Sequence, residues 1–189
     1  FLVASLGLLG LKPSVAAVGA GLVLSVAGLG LAMLGAHRLQ ADGPLVDSAV
    51  EAMPVPAGAL VYAAVPVAWD YGTSGLENPL SMTWLGGAFF LAALAISGEE
   101  GEGRWSFDWR PLTVAAVVGL GPLVRPELAL YSLAFFVPLA GVYARRPDGG
   151  PSLRRLGLLV AAAGAVPVAY EVWRMGYFAA VVPNTAVAK

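Results

Sequence analysis

The sequence contains a long uncharged, apolar run from Ser14 to Ala36, which ends at His37-Arg38. This run is longer than the roughly 20 residues that an α-helix needs to cross about 30 Å of hydrocarbon. Further apolar stretches, most of them shorter, follow it through the rest of the chain. The pattern therefore predicts an all-α fold, in which several transmembrane helices form a polytopic bundle.

The composition excludes a soluble globular domain. Hydrophobic residues account for 58% of the 189 residues, charged residues account for 12%, and the mean hydropathy is +0.77. Soluble domains are about a quarter charged, so this chain has too few charges to cover a soluble surface. The net charge of -1 provides no basic field for nucleic acid. The absence of cysteine excludes disulfides and thiolate metal sites.

Charged turns and prolines divide the chain into about seven predicted crossings, of which the first is partial. The predicted spans are about 1–11, 14–36, 55–69, 80–96, 111–124, 128–144 and 156–173, all within one transmembrane domain, 1–189. Phe1 already lies in an apolar stretch, and the sequence stops at Lys189 without a cap or tail. We therefore expect the chain to be a fragment of a longer protein.

The distribution of arginines predicts which ends of the spans face the cytoplasm. One loop is bounded by four arginines, which are Arg145, Arg146, Arg154 and Arg155. Such a cluster marks a cytoplasmic loop, and counting crossings places Arg38, Arg104 and Arg110 on the same side. Three polar clusters then fall on the outer side, namely Asp70–Asn78, Arg125–Glu127 and Tyr170–Lys189. The polar motifs are therefore predicted to gather at one face of the membrane.

The Arg125-Pro126-Glu127 segment lies between two apolar runs with almost no loop around it. Proline disfavours helix at the preceding residue, so the segment predicts a helix break. One interpretation is that Arg125 and Glu127 neutralise each other at the membrane interface. The other is that Arg125 binds a phosphate or carboxylate, which the guanidinium fork suits.

The turn between the third and fourth spans combines carboxylates with hydroxyl groups. Asp70 and Glu77 flank Thr73 and Ser74. These groups suit the binding of sugar hydroxyls. They also suit an ordinary helix cap, in which Thr73 or Ser74 caps the helix ahead of Glu77. The residues alone leave both interpretations open.

The last span ends in a group of aromatic and charged residues. Tyr170, Trp173 and Tyr177 follow one another at spacings of three and four, and Glu171 and Arg174 share a helix face. An interfacial aromatic belt explains Trp173 without a ligand. The further polar segment Pro183-Asn184-Thr185 favours a substrate site instead. No metal-ligand cluster is visible, and the sequence requires no cofactor.

Three segments together resemble the membrane glycosyltransferases related to the mycobacterial terminal β-(1→2) arabinofuranosyltransferase, whose relatives are also labelled flagellar motor control proteins. The segments are Asp70-Tyr71-Gly72-Thr73-Ser74-Gly75-Leu76-Glu77-Asn78-Pro79-Leu80, Leu123-Val124-Arg125-Pro126-Glu127, and Tyr170-Glu171-Val172-Trp173-Arg174-Met175-Gly176-Tyr177-Phe178 followed by Val182-Pro183-Asn184-Thr185-Ala186-Val187-Ala188-Lys189. Their order and spacing match, and they cover most of the chain from Asp70 onward.

The resemblance implies a GT-C fold in a bacterial inner membrane. Such an enzyme takes a sugar from a polyprenyl phosphate and works on the extracytoplasmic face. In the arabinan branch of the family, the donor is decaprenyl-phosphoryl arabinofuranose and the acceptor is cell-wall arabinan. The implied partners are therefore a lipid-linked sugar donor, a glycan acceptor and the membrane.

The resemblance also suggests roles for individual residues. The expected ligands of the donor phosphate are Arg125, Arg174 and Lys189. The residues expected to contact the sugar or acceptor, or to orient the arginines, are Asp70, Thr73, Ser74, Glu77, Glu127, Glu171, Tyr177 and Asn184. Family members usually carry a catalytic Asp in the first outer loop, and the turn at Lys12-Pro13 does not correspond to it. The C-terminal extracytoplasmic domain of the family likewise has no expected counterpart here. We therefore name no catalytic residue within the chain, expect that Asp upstream, and do not expect the fragment to catalyse alone.

Two other functions fit a hydrophobic chain with intramembrane charges. A transporter or flippase would show internal repeats and polar sites near the midplane, whereas here the polar groups are predicted at one face and no repeat is apparent. A non-catalytic membrane partner protein is the remaining alternative.

Overall fold

The computed structural model describes residues 12–41, 57–66, 70, 77–97, 110–145 and 150–178. Over these residues its regular elements are helices, with no strand among them. The α-helices are α1 Pro13–Ala41, α2 Ala57–Ala64, α3 Glu77–Ser97, α4 Arg110–Gly119, α5 Gly121–Val124, α6 Ala129–Tyr143 and α7 Leu153–Phe178, and a 3-10 turn spans Pro126–Leu128. The chain divides into two compact units, Phe1–Ser106 and Phe107–Lys189.

Four helical segments in the described part of the chain are long and apolar enough to cross a bilayer. They are Ser14–Leu39, Asn78–Ile96, Pro126–Tyr143 and Leu153–Tyr177, and the shorter apolar segment Arg110–Val124 lies between the second and third. The predicted all-α, polytopic membrane fold is therefore confirmed. The first predicted span, 1–11, lies outside the described residues.

In the first unit, α1 and α3 pack backbone to backbone at glycines. A Cβ added at Gly86 would overlap the carbonyl oxygen of Gly28, and one added at Gly28 would lie 2.5 Å from the carbonyl oxygen of Met82. Only glycine leaves room for such an approach. Small residues at helix contacts permit it in membranes, where association depends on packing and interhelical hydrogen bonds rather than on expulsion of water.

The contacts between α1 and α3 advance in the same direction along both helices. The Thr83 hydroxyl lies 2.7 Å from the Leu24 carbonyl oxygen, and Gly35 lies further along, against Phe89. The two helices are therefore parallel. Helix α2 lies between them along the chain.

In the second unit, α4 contacts both α6 and α7. The turn at 125–128 reverses the chain, so α6 runs antiparallel to α4. A second reversal follows α6, where the Ser152 N–H donates to the Ala144 carbonyl at 2.6 Å and the Arg155 Nη1 donates to the Arg145 carbonyl at 2.8 Å. Helix α7 therefore runs parallel to α4, and both point away from the end that carries Arg145.

Pro122 and Pro167, like Pro138 within α6, each leave a helical carbonyl without the N–H that lies four residues ahead of it. Pro122 does so for Val118, and Pro167 does so for Ala163. The Ser132 hydroxyl of α6 donates to the Val118 carbonyl at 2.8 Å. A Cβ at Gly119 would overlap the Ala163 oxygen, so the Cα hydrogens of Gly119 lie against that carbonyl. The carbonyls of Val118 and Ala163 thus each meet a neighbouring helix.

Large apolar side chains cover the outside of the second unit. Leu130 is 72% exposed and Val137 is 66% exposed, whereas Leu139 and Val118 are fully buried between helices. Helix α7 buries almost none of its apolar residues within the unit. In a bilayer, lipid tails cover such surfaces, so the exposure agrees with a membrane-spanning unit.

Candidate functional site

The helix break at Arg125 has a clear local cause. Helix α5 ends at Val124, and Arg125 adopts an extended backbone with φ -152° and ψ 138°. Pro126 forces this conformation because its ring clashes with a helical preceding residue. Pro126 then opens the 3-10 turn, whose Leu128 N–H donates to the Arg125 carbonyl at 3.0 Å. Arg125 therefore stands at the tip of the reversal between α5 and α6.

The turn holds a short ion pair. The Arg125 Nη2 lies 2.6 Å from the Glu127 Oε1, and the two side chains are 37% and 59% exposed. A pair this exposed contributes little in water. Near a membrane interface, it lowers the cost of keeping a guanidinium close to hydrocarbon. Both interpretations of this segment use the pair, since a carboxylate that neutralises an arginine also orients it.

A second ion pair lies near the end of α7 and is less exposed. The Arg174 Nη2 lies 2.7 Å from Glu171 Oε2, and the Arg174 Nε donates to the same oxygen at 3.0 Å. The Arg174 side chain is only 15% exposed, and that of Glu171 is 48% exposed. Two contacts to one oxygen fix the plane of the guanidinium. Glu171 and Arg174 therefore share a helix face, as the spacing of three residues predicts, and form an ion pair there.

Three aromatic rings form a stack on α7 beside this ion pair. The ring centroids of Tyr170 and Trp173 are 6.0 Å apart, and those of Trp173 and Tyr177 are 5.5 Å apart at an interplanar angle of 18°. Exposure rises along the stack from 45% at Tyr170 to 71% at Tyr177. An aromatic surface of this kind suits a membrane interface and also suits the apolar face of a sugar ring.

The two ion pairs lie at the same end of the second unit. The contact between Gly119 and Ala163 defines a common level on α4 and α7. At 1.5 Å per helical residue, Arg125 lies about 9 Å beyond that level, Tyr170 about 10 Å and Arg174 about 16 Å. The turn at Arg125 is therefore level with the start of the aromatic stack, and α7 continues past it.

The other predicted site residues belong to other parts of the chain. Asp70 is exposed with a helical backbone, and Glu77 is the first residue of α3, both in the first unit. Thr73, Ser74, Asn184 and Lys189 lie outside the described residues. Where side chains are described, no group of three or more His, Asp or Glu residues is placed to hold a metal ion.

Sequence reasoning missed two residues that shape this site, Ser132 and Gly119. Ser132 meets the Val118 carbonyl just before the interruption between α4 and α5, and Gly119, the next residue, meets the Ala163 carbonyl of α7. The signal lay in the prolines, since Pro122 and Pro167 identify the carbonyls of Val118 and Ala163 as lacking a helical donor. The sequence does not identify which neighbouring residue meets each carbonyl.

Two curated proteins are similar to this chain, and both are described as terminal β-(1→2)-arabinofuranosyltransferases. The one from Mycobacterium tuberculosis is 40% identical over 169 residues, which cover 89% of this chain and 25% of that protein. The one from Corynebacterium glutamicum is 38% identical over 149 residues, which cover 71% of this chain and 20% of that protein. The chain thus spans a quarter or less of the length of these relatives. No family model and no solved structure matches it.

Proposed function

This chain belongs to the family of the terminal β-(1→2)-arabinofuranosyltransferases, and we propose that the full-length protein is a membrane glycosyltransferase that uses a polyprenyl-phosphate sugar. The acceptor is a cell-envelope glycan on the extracytoplasmic face of the bacterial inner membrane. The transferred sugar is arabinofuranose if the source organism makes arabinan. A GT-C fold for the complete enzyme is part of this proposal.

The observation that carries the proposal is the pair of glutamate-bound arginines at one end of the second unit. Arg125 and Arg174 each lie within 3 Å of a carboxylate, at 2.6 Å and 2.7 Å respectively. Guanidinium groups recognise phosphate oxygens through paired N–H donors. A lipid phosphate lies at the membrane interface, which is where two arginines at the end of a helical bundle can reach it.

The chemical step is a displacement at the anomeric carbon of the donor sugar. The acceptor hydroxyl forms a bond to that carbon with inversion, and the bond from the carbon to the phosphate oxygen breaks. A carboxylate base, expected upstream of this chain, takes the hydroxyl proton. Negative charge accumulates on the departing polyprenyl phosphate, and we assign Arg125, Arg174 and Lys189 to stabilise it. Glu127 and Glu171 orient the first two.

The sugar and acceptor contacts are assigned to residues with hydroxyl, carboxylate, amide and aromatic groups. They are Asp70, Thr73, Ser74, Glu77, Tyr177 and Asn184. Among these, Tyr177 is 71% exposed and stacks on Trp173. One face of its ring therefore packs against Trp173, and the opposite face is accessible. Carboxylates and hydroxyl groups accept and donate the hydrogen bonds that a sugar offers.

The outer placement of the site rests on charge distribution. Arg145, Arg154 and Arg155 lie at the opposite end of the second unit from Arg125 and Arg174, because α6 and α7 each traverse the unit between them. Arginine-rich loops stay in the cytoplasm. The end that carries the two ion pairs then faces outward.

The proposal is tested with the full-length protein in detergent or proteoliposomes, a radiolabelled polyprenyl-phosphate sugar and an oligosaccharide acceptor. Arg125→Ala should lower transfer at least roughly tenfold, because a charged hydrogen bond to the leaving group is lost. Arg154→Ala, at the opposite end of α7, is the matched control and should keep wild-type transfer.

The outcomes separate the candidate functions. Transfer that depends on Arg125 supports the proposal, and transfer that is unchanged in Arg125→Ala refutes the phosphate assignment. Movement of the lipid-linked sugar across the membrane without transfer identifies a flippase. The absence of both activities in the wild-type protein identifies a non-catalytic partner.

A further inference from the structure

The side chain of Ser132 links two helices next to the turn that carries Arg125. Its hydroxyl, in the first turn of α6, donates to the Val118 carbonyl of α4 at 2.8 Å. The two residues are 14 positions apart, and Arg125 lies midway between them. The hydrogen bond therefore closes a loop of chain that has the Arg125-Pro126 break at its tip.

The Val118 carbonyl is an acceptor because of Pro122. A helical carbonyl normally receives the N–H four residues ahead, and proline has none. The α-helix is interrupted at Leu120, since α4 ends at Gly119 and the Leu120 N–H donates to Val117, only three residues back, at 3.1 Å. This proline-linked interruption is the kink between α4 and α5. Helix α5 starts at Gly121 and ends immediately before Arg125. The kink therefore sets the direction in which Arg125 is presented.

The same kink is held from its other side by α7. Gly119, next to Val118, packs its Cα against the Ala163 carbonyl that Pro167 deprives of its helical donor. Consecutive residues of α4 are thus tied to two different helices. Helix α7 also carries Arg174. The contact between Gly119 and Ala163 therefore fixes the backbone before Arg125 relative to the helix that carries Arg174.

We propose that Ser132 is a positioning residue for Arg125. Its hydroxyl fixes the kink between α4 and α5 by replacing the N–H that Pro122 lacks. The effect of this positioning on transfer rests on the phosphate-binding role proposed for Arg125. The geometric part of the inference, that Ser132 fixes the kink, stands without that role.

A set of four variants in the full-length protein distinguishes positioning from a merely structural role. Ser132→Ala removes the donor, Ser132→Thr keeps it, Pro122→Ala returns an N–H to Val118, and the fourth variant combines Ser132→Ala with Pro122→Ala. Leu133→Ala, at the neighbouring 61% exposed residue, is the matched control. Transfer kinetics and the temperature of unfolding in detergent are measured for each.

We expect Ser132→Ala to lower kcat/KM for the lipid donor roughly three- to tenfold, the effect of losing one interhelical hydrogen bond. Ser132→Thr and Leu133→Ala should stay within about twofold of wild type. In the Pro122→Ala background, Ser132→Ala should no longer lower the unfolding temperature, because Val118 then has a backbone partner. Transfer should nevertheless remain low, because the kink is lost.

Two results overturn the inference. One is wild-type transfer in Ser132→Ala. The other is a double variant in which both the transfer activity and the unfolding temperature return to the wild-type values. That result would show that the hydroxyl only stabilises the fold.

The positioning role of Ser132 can also be tested without an activity assay, by measuring a distance between two spin labels. Spin labels at Leu123→Cys on α5 and Leu153→Cys at the far end of α7 report the kink, after replacement of any cysteine elsewhere in the protein. Ser132→Ala should shift or broaden the distance distribution, and Ser132→Thr should not. An unchanged distribution in Ser132→Ala refutes the positioning role. Absence of transfer in the wild type refutes only the proposed function.

Discussion

Gly119 lies with its Cα against the carbonyl oxygen of Ala163, a carbonyl that Pro167 leaves without its helical N–H donor. A polar carbonyl exposed to hydrocarbon is costly, and neighbouring helices supply compensation in membrane proteins. A Cα–H group is a weak donor, yet it fits where no side chain can. Pro122 and Pro167 are thus each matched to a particular residue on an adjacent helix.

Gly119→Ala should destabilise the second unit, because the new Cβ overlaps backbone atoms of Ala163 that cannot move as a side chain can. Overpacking of this kind costs about 1–3 kcal/mol. Thermal unfolding of the full-length protein in detergent measures the effect. Gly157→Ala is the matched control, since a Cβ there meets nothing within 4 Å. Equal stability of the two variants would contradict the close contact.

Gly86→Ala should separate α1 from α3 in the same way. Its Cβ would overlap the Gly28 carbonyl oxygen, whereas a Cβ at Gly30 meets nothing within 4 Å. We expect a loss of about 1–3 kcal/mol for Gly86→Ala and little change for Gly30→Ala. Unfolding monitored by proteolysis of the first unit measures both, and the idea fails if Gly30→Ala is the more damaging change.

Arg174→Lys should weaken donor use although it keeps the charge. Lysine lacks the Nε–H that contacts Glu171 at 3.0 Å and cannot reproduce the planar fork. Losing one charged hydrogen bond lowers kcat/KM by roughly tenfold or more. Steady-state kinetics with varied lipid donor test this, with Arg155→Lys at the opposite end of α7 as the control. Wild-type kinetics in Arg174→Lys would show that only the charge matters.

The sidedness of the second unit can be tested with a membrane-impermeant maleimide. Cysteine at Glu127 should react in intact cells, and cysteine at Arg154 should react only after permeabilisation. The reason is that the end of the unit with Arg145, Arg154 and Arg155 is proposed to be cytoplasmic. The reverse pattern would place the ion pairs on the inner side and remove the extracytoplasmic site.

Several features of the fold follow from local sequence. The run Ser14–Ala36 predicts a spanning helix from its length and lack of charge, and the structure has a helix over Pro13–Ala41. The break at Arg125 follows from Pro126, since the steric effect of proline acts on its immediate neighbour. The spacing of Glu171 and Arg174 places both on one helix face, and they form an ion pair. The family predicted from the three motifs is confirmed by the two relatives.

Other features could not be predicted because they depend on which helices meet. Pro122 shows that Val118 lacks a donor, but only packing brings Ser132 to it from α6. The parallel pairing of α1 and α3 likewise depends on contacts between residues far apart in sequence, such as Thr83 and Leu24. The roles of Asp70, Thr73, Ser74, Glu77, Asn184 and Lys189 remain predictions from the motifs.

The parallel arrangement of α1 and α3 also constrains how the protein is made. Two parallel helices cannot enter the membrane as the two arms of one hairpin, because the arms of a hairpin are antiparallel. The Gly28–Gly86 contact can form only after α3 has been synthesised, because its two residues lie far apart along the chain. Until then, α1 lies in the bilayer without this partner. Substitutions at Gly86 should accordingly leave insertion intact and act on the later step, in which inserted helices associate.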